Sequence, residues 1–94
     1  MLLECIRYKP VDVGTFCGFA DIYIQDRGIE ILGCTLYKKD GKRWLNPPVR
    51  NYKAPDGEEK YSPIIRFREQ KDFKDFCTLS KEAIDTFLAK ENTI

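Results

Sequence analysis

The chain has 94 residues, with 16 Lys and Arg against 15 Asp and Glu, no His and four Cys. That length suits one domain, and the missing imidazole removes Ser-His and Cys-His nucleophilic pairs, a common metal ligand and the commonest general base. The net charge of +1 hides a division: residues 38–68 hold nine basic and four acidic side chains, a local +5 against −4 elsewhere.

Composition narrows the class further. A chain 43% hydrophobic and 33% charged reads as a folded globular domain. Its apolar runs are too short to span a membrane. Met1-Leu2-Leu3-Glu4 lacks the basic and apolar regions of a secretory signal, so a cytoplasmic protein is expected. Cys5, Cys17, Cys34 and Cys77 are scattered and form no closely spaced pair, which argues against a zinc site and for structural free thiols.

The first predicted strand covers residues 2–9, with Leu2, Glu4, Ile6 and Tyr8 on one face and Leu3, Cys5, Arg7 and Lys9 on the other. Pro10 to Thr15 supply a turn. Residues 16–25 alternate most clearly. Phe16, Gly18, Ala20, Ile22 and Ile24 share one face, and Cys17, Phe19, Asp21, Tyr23 and Gln25 the other. The small Gly18 and Ala20 leave room for a helix packed across the sheet. Asp26-Arg27-Gly28 makes a tight turn into a third strand over 29–38. Its expected faces are Ile29, Ile31, Gly33, Thr35 and Tyr37 against Glu30, Leu32, Cys34, Leu36 and Lys38. Lys39-Asp40-Gly41-Lys42 forms the next hairpin, and Arg43 to Leu45 a short fourth strand.

Asn46-Pro47-Pro48 ends that strand, because proline cannot donate to a ladder. Val49 to Lys60 reads as an exposed arm or open hairpin around the turn Pro55-Asp56-Gly57. Residues 61–68 read as a last strand, in which Pro63 marks an edge or a bulge. The period then lengthens. Phe73, Phe76, Cys77, Ser80, Ile84, Phe87 and Leu88 fall at steps of three and four, giving an amphipathic helix over about 70–90. Ser80 could instead cap a second helix, but one continuous helix is favoured. The expected fold is α+β in a single domain, an antiparallel meander of four to five strands with one C-terminal helix packed on it.

The strongest chemical pattern interleaves cations with aromatics on the hairpin and arm. Lys38, Lys39, Lys42, Arg43 and Trp44 are followed by Arg50, Tyr52 and Lys53. Phosphates call for cations and unpaired bases for flat π surfaces, so this pattern suits a single-stranded nucleic acid. Tyr37 and Trp44 have a second reading, as core residues beneath a solvated hairpin. Arg66, with Arg68 on the same face of the last strand, either extends the basic stripe or pairs with acidic residues. Phe19 and Tyr23 read either as stacking platforms or as an interface. Asp21, Asp26 and Glu30 flank one hairpin, in a loop too short for calcium.

Residues 14–68 resemble the septation regulator SpoVG (stage V sporulation protein G) family. The resemblance rests on Gly14-Thr15 to Phe19-Ala20-Asp21-Ile22, Ile29-Glu30-Ile31-Leu32-Gly33 and Gly41-Lys42-Arg43-Trp44-Leu45. It continues in Pro48-Val49-Arg50, Pro55-Asp56-Gly57-Glu58 and Tyr61-Ser62-Pro63-Ile64. It implies a curved antiparallel sheet with a C-terminal helix in a small nucleic-acid-binding dimer. The architecture is also similar to positive-cofactor-four-like proteins, which hold single-stranded DNA, although no diagnostic motif of theirs is present.

The expected function is therefore binding of DNA or RNA by a homodimer without catalysis. No cofactor, metal or small-molecule substrate is expected. The alternative is a protein–protein interaction module that binds no nucleic acid. The orientation of Trp44 separates the two: exposed beside the lysines it favours nucleic acid, and buried under the helix it favours a structural role.

Overall fold

The structure, a computed structural model, describes residues 1–91. Four strands, β1 (Leu3–Val13), β2 (Phe16–Ile24), β3 (Ile29–Lys39) and β4 (Lys42–Asn46), form an antiparallel sheet in that order. Two further strands, β5 (Val49–Lys53) and β6 (Glu59–Pro63), pair only with each other, as a separate ribbon. One continuous helix, α1 (Gln70–Glu91), closes the described chain. Asp72 in its first turn and Lys90 in its last complement the helix dipole. The expected α+β fold is the one observed.

The turns follow their residues. Asp40 and Gly41 both take positive φ, 53° and 78°, as a two-residue hairpin with the right twist requires. At the ribbon tip the Gly57 N–H donates to the Ala54 carbonyl at 2.9 Å, closing a turn around Pro55 and Asp56.

Three expectations change. β1 runs on through Pro10 to Val13, leaving only Gly14 and Thr15 as the turn. Pro10 is tolerated because β1 is an edge strand. The last strand does not span 61–68: it ends at Pro63, pairs with β5 and leaves the main sheet. Residues 64–69 are irregular there, and Ile65 and Phe67 turn in against the core.

The third change concerns which side chains face inward. Four bulges interrupt the simple alternation, each inserting one residue against a partner strand, one of them between Pro10 and Val13 near the end of β1. In β1, Ile6 is extra, so Cys5 and Tyr8 both face the core. In β3 the extra residue falls at Leu32-Gly33, which puts Ile31, Cys34 and Leu36 on one side. Gly33 accepts the required φ of 80° because it has no Cβ. In β2, Cys17 is extra, and Phe16 leaves the face of Gly18 and Ala20.

Asp21 fastens two of these bulges from between them. Its Oδ1 accepts the Gly33 N–H at 2.8 Å, and its Oδ2 lies 3.9 Å from Arg7 Nε. The carboxylate that a cation site might have used is thus engaged in holding β1 and β3 to β2.

The core lies between the sheet and α1. Ala20, Ile22, Cys34, Leu36 and Leu45 meet Phe76 and Ile84 there. The helix backbone comes closest to β1 and β4, the two edges, so the sheet curls around it. Ala20 gives the helix its space as expected. Gly18 serves another purpose: a Cβ there would collide with the Lys9 carbonyl, and the Tyr8 hydroxyl would lie 2.9 Å away. Ser80 sits inside α1, wholly buried, and starts no second helix.

Candidate nucleic-acid interface

The sheet face turned away from α1 carries a row of rings. Phe19 meets Phe16 edge-on at 5.0 Å between centroids, Phe16 lies 5.3 Å from Tyr37, and Tyr37 stacks on Trp44 at 5.5 Å with 10° between planes. The bulge at Cys17 creates this row, because it brings Phe16 to the same side as Phe19. Tyr37 and Trp44 are direct cross-strand partners. Trp44 is 40% exposed and Phe19 41% exposed. Trp44 therefore stands beside the lysines and not beneath the helix.

Strand alternation sorts the cations of the β3–β4 hairpin onto two faces. Lys39 and Lys42 pair across the hairpin and continue the row of rings beyond Tyr37 and Trp44. Lys38 and Arg43 pair on the helix side. The Arg43 guanidinium donates to both Asp85 carboxylate oxygens, at 2.7 and 2.9 Å. This bidentate contact holds Asp85 below the usual carboxylate range and raises Arg43. Lys81 Nζ donates to the Arg43 carbonyl and the Cys77 thiol to the Leu45 carbonyl, both at 3.4 Å. Arg43 thus sits among the contacts that fasten α1 to β4.

The remaining candidates lie on or after the ribbon. Every residue of β5 is exposed. Arg50 and Tyr52 share one ribbon face with their partners Ser62 and Lys60, while Lys53 follows Val49 and Asn51 on the other. Arg66 is exposed in the irregular segment before α1 and lies on no strand. Among the described residues no ion pair engages Lys38, Lys39, Lys42, Arg50, Lys53 or Arg66.

Between the row of rings and the ribbon runs a groove of about 660 Å³. Phe16, Phe19 and Tyr37 form one wall, and Val49, Asn51 and Tyr61 form the other. Pro47 and Pro48, which join β4 to the ribbon, also line it and hold their own φ fixed there. Phe16, Tyr61, Asn46 and Asn51 lie outside the set of interleaved cations and aromatics: the asparagines are neither, and Phe16 has no adjacent cation in the sequence. Tyr61 was legible as a strand residue, but its place on the groove depends on β6 leaving the main sheet.

Comparison with protein families, with characterised proteins and with solved structures finds no match. Among the described residues no helix is long and apolar enough to cross a membrane, and no group of three His, Cys, Asp or Glu could hold a metal ion. All four cysteines are free. Burial, reinforced by the nearby Asp21 charge, pushes the Cys34 thiol up to about 12, and burial also raises Cys5 and Cys77.

Proposed function

We propose that this chain is a non-catalytic nucleic-acid-binding protein, acting on single-stranded DNA or RNA through the outer face of its sheet and the adjoining ribbon. The observation that carries this reading is the exposed Trp44, stacked on Tyr37 and flanked along the strands by Lys39 and Lys42. Lys39 and Lys42 capture phosphates, with Arg50, Lys53 and Arg66 as further cations around the ribbon. Trp44 and the rings beside it offer bases a surface on which to stack. Tyr52 adds an exposed ring on the far ribbon face. Arg43 takes no part in phosphate capture, because Asp85 already neutralises it.

On this reading the chain works in the cytoplasm as a homodimer, which suits an 11.0 kDa domain with a limited core of its own. The proposal agrees with what the resemblance of residues 14–68 to the SpoVG family implies. A gel-shift panel of single- and double-stranded DNA and RNA at two salt concentrations tests it. Single strands should shift at low salt and release as salt rises. No shift of any nucleic acid would favour the protein–protein module instead.

A further inference from the structure

We infer that the groove between the sheet and the β5–β6 ribbon receives one unpaired nucleobase of a bound single strand and reads its edge through Asn46 and Asn51. The inference rests on the nucleic-acid reading above and specifies the ligand of the same surface.

The lining of the groove carries the argument. It contains rings, prolines, aliphatic side chains and the amides of Asn46 and Asn51, and no charged side chain. A phosphate or a metal ion would find no counter-charge inside it. A flat, uncharged heterocycle with donors and acceptors along one edge would find rings to lie against and amides to bond to. An Asn amide offers both a carbonyl acceptor and NH₂ donors, which suits the mixed edges of bases. The volume is in the usual range for small-ligand sites, roughly 300–1,000 Å³.

Charge is arranged around this uncharged interior. Lys39 and Lys42 lie beyond the rings on the sheet side, and Lys53 lies past Asn51 on the groove face of the ribbon. A strand laid along the groove would keep its phosphates at that cationic rim and turn one base inward. The two walls come from different elements: Asn46 belongs to β4, while Asn51 and Tyr61 face each other across the ribbon. A paired base cannot enter, because its edge is already occupied and its faces are already stacked. The groove therefore selects unpaired over duplex strands, independently of the electrostatic attraction.

The test compares fluorescence anisotropy of labelled oligothymidylate with that of an abasic strand of equal length. It uses the intact chain and the variants Asn51→Ala and Tyr61→Ala. Both substitutions fall at exposed ribbon positions, and circular dichroism checks their folding. The intact chain should bind oligothymidylate roughly tenfold more tightly than the abasic strand. Each variant should lose most of that preference while its salt dependence stays unchanged. A full preference retained by both variants overturns the groove assignment alone, whereas equal binding of both strands by the intact chain overturns it together with base stacking at Trp44. Binding of neither strand overturns the nucleic-acid reading along with it.

Discussion

Single residues decide how the sheet bends. Gly18 is the only residue type that fits, because a Cβ would strike the β1 backbone at Lys9. Gly18→Ala should lower stability by about 1–3 kcal/mol in urea denaturation, through a forced shift of β1. Asp21→Ala leaves the Gly33 N–H without its acceptor at the bulge. That change should cost about 1–2 kcal/mol by the same measurement. The sequence made these two positions visible as a small residue and a carboxylate, but not what they do. Gly18 reads as space for a helix when only its own strand is considered, and its real neighbour lies across the ladder. Asp21 reads as one of three acids flanking a hairpin until the bulges on both sides of it are known.

Cys34 adds a pH dependence at the same scale. Its thiol is pushed up to about 12 from an ordinary 9.0, first by burial and then by Asp21. A raised folded value means that the unfolded chain releases the proton more readily. The contribution is therefore present below pH 9.0 and is lost as pH rises toward about 12. Thermal melts should show a falling Tm across that window, and the fall should be smaller in Cys34→Ala.

At the scale of elements, the four-stranded order, the Asp40-Gly41 hairpin and the single helix were all legible. Each depends on local signals: a turn residue with positive φ, or an apolar period of three and four. Inward and outward faces were legible only between bulges. An inserted residue shifts every later side chain by one, and no residue type announces it. The end of the last strand was also hidden, since β6 finds its partner in β5 and not in the main sheet.

The same sorting of faces separates Arg43 from the lysines beside it. Arg43→Met should loosen α1 from β4 by under about 1 kcal/mol, because the pair with Asp85 is partly solvent-screened. Its affinity for single strands should stay close to that of the unaltered chain. Lys39→Glu combined with Lys42→Glu should instead weaken binding and reduce the slope of log affinity against log salt by about two. Anisotropy titrations over a salt series distinguish these outcomes.

Over the whole molecule, a nearly neutral chain resolves into a core of packed sheet and helix and a cationic margin formed by the hairpin and ribbon. The local charge of +5 over residues 38–68 is one less than its sequence suggests as a binding surface, because Arg43 is spent on Asp85. Of what remains, Lys39 and Lys42 stand beside the rings and Lys53 on the groove face of the ribbon, while Lys38 faces the helix side and Arg50 and Lys60 the far ribbon face. A homodimer should sediment at twice the 11.0 kDa of one chain, whereas a single-chain mass would remove the dimer from the proposal. The central claim is that nucleic acid lies on the Trp44 face. Trp44 is the only tryptophan in the chain, so its fluorescence reports that face alone. Titration with oligothymidylate at low salt should quench Trp44 emission to a saturable end point, and added salt should restore it. Emission that stays unchanged while the strand is shown by anisotropy to bind would place the nucleic acid elsewhere and contradict the account.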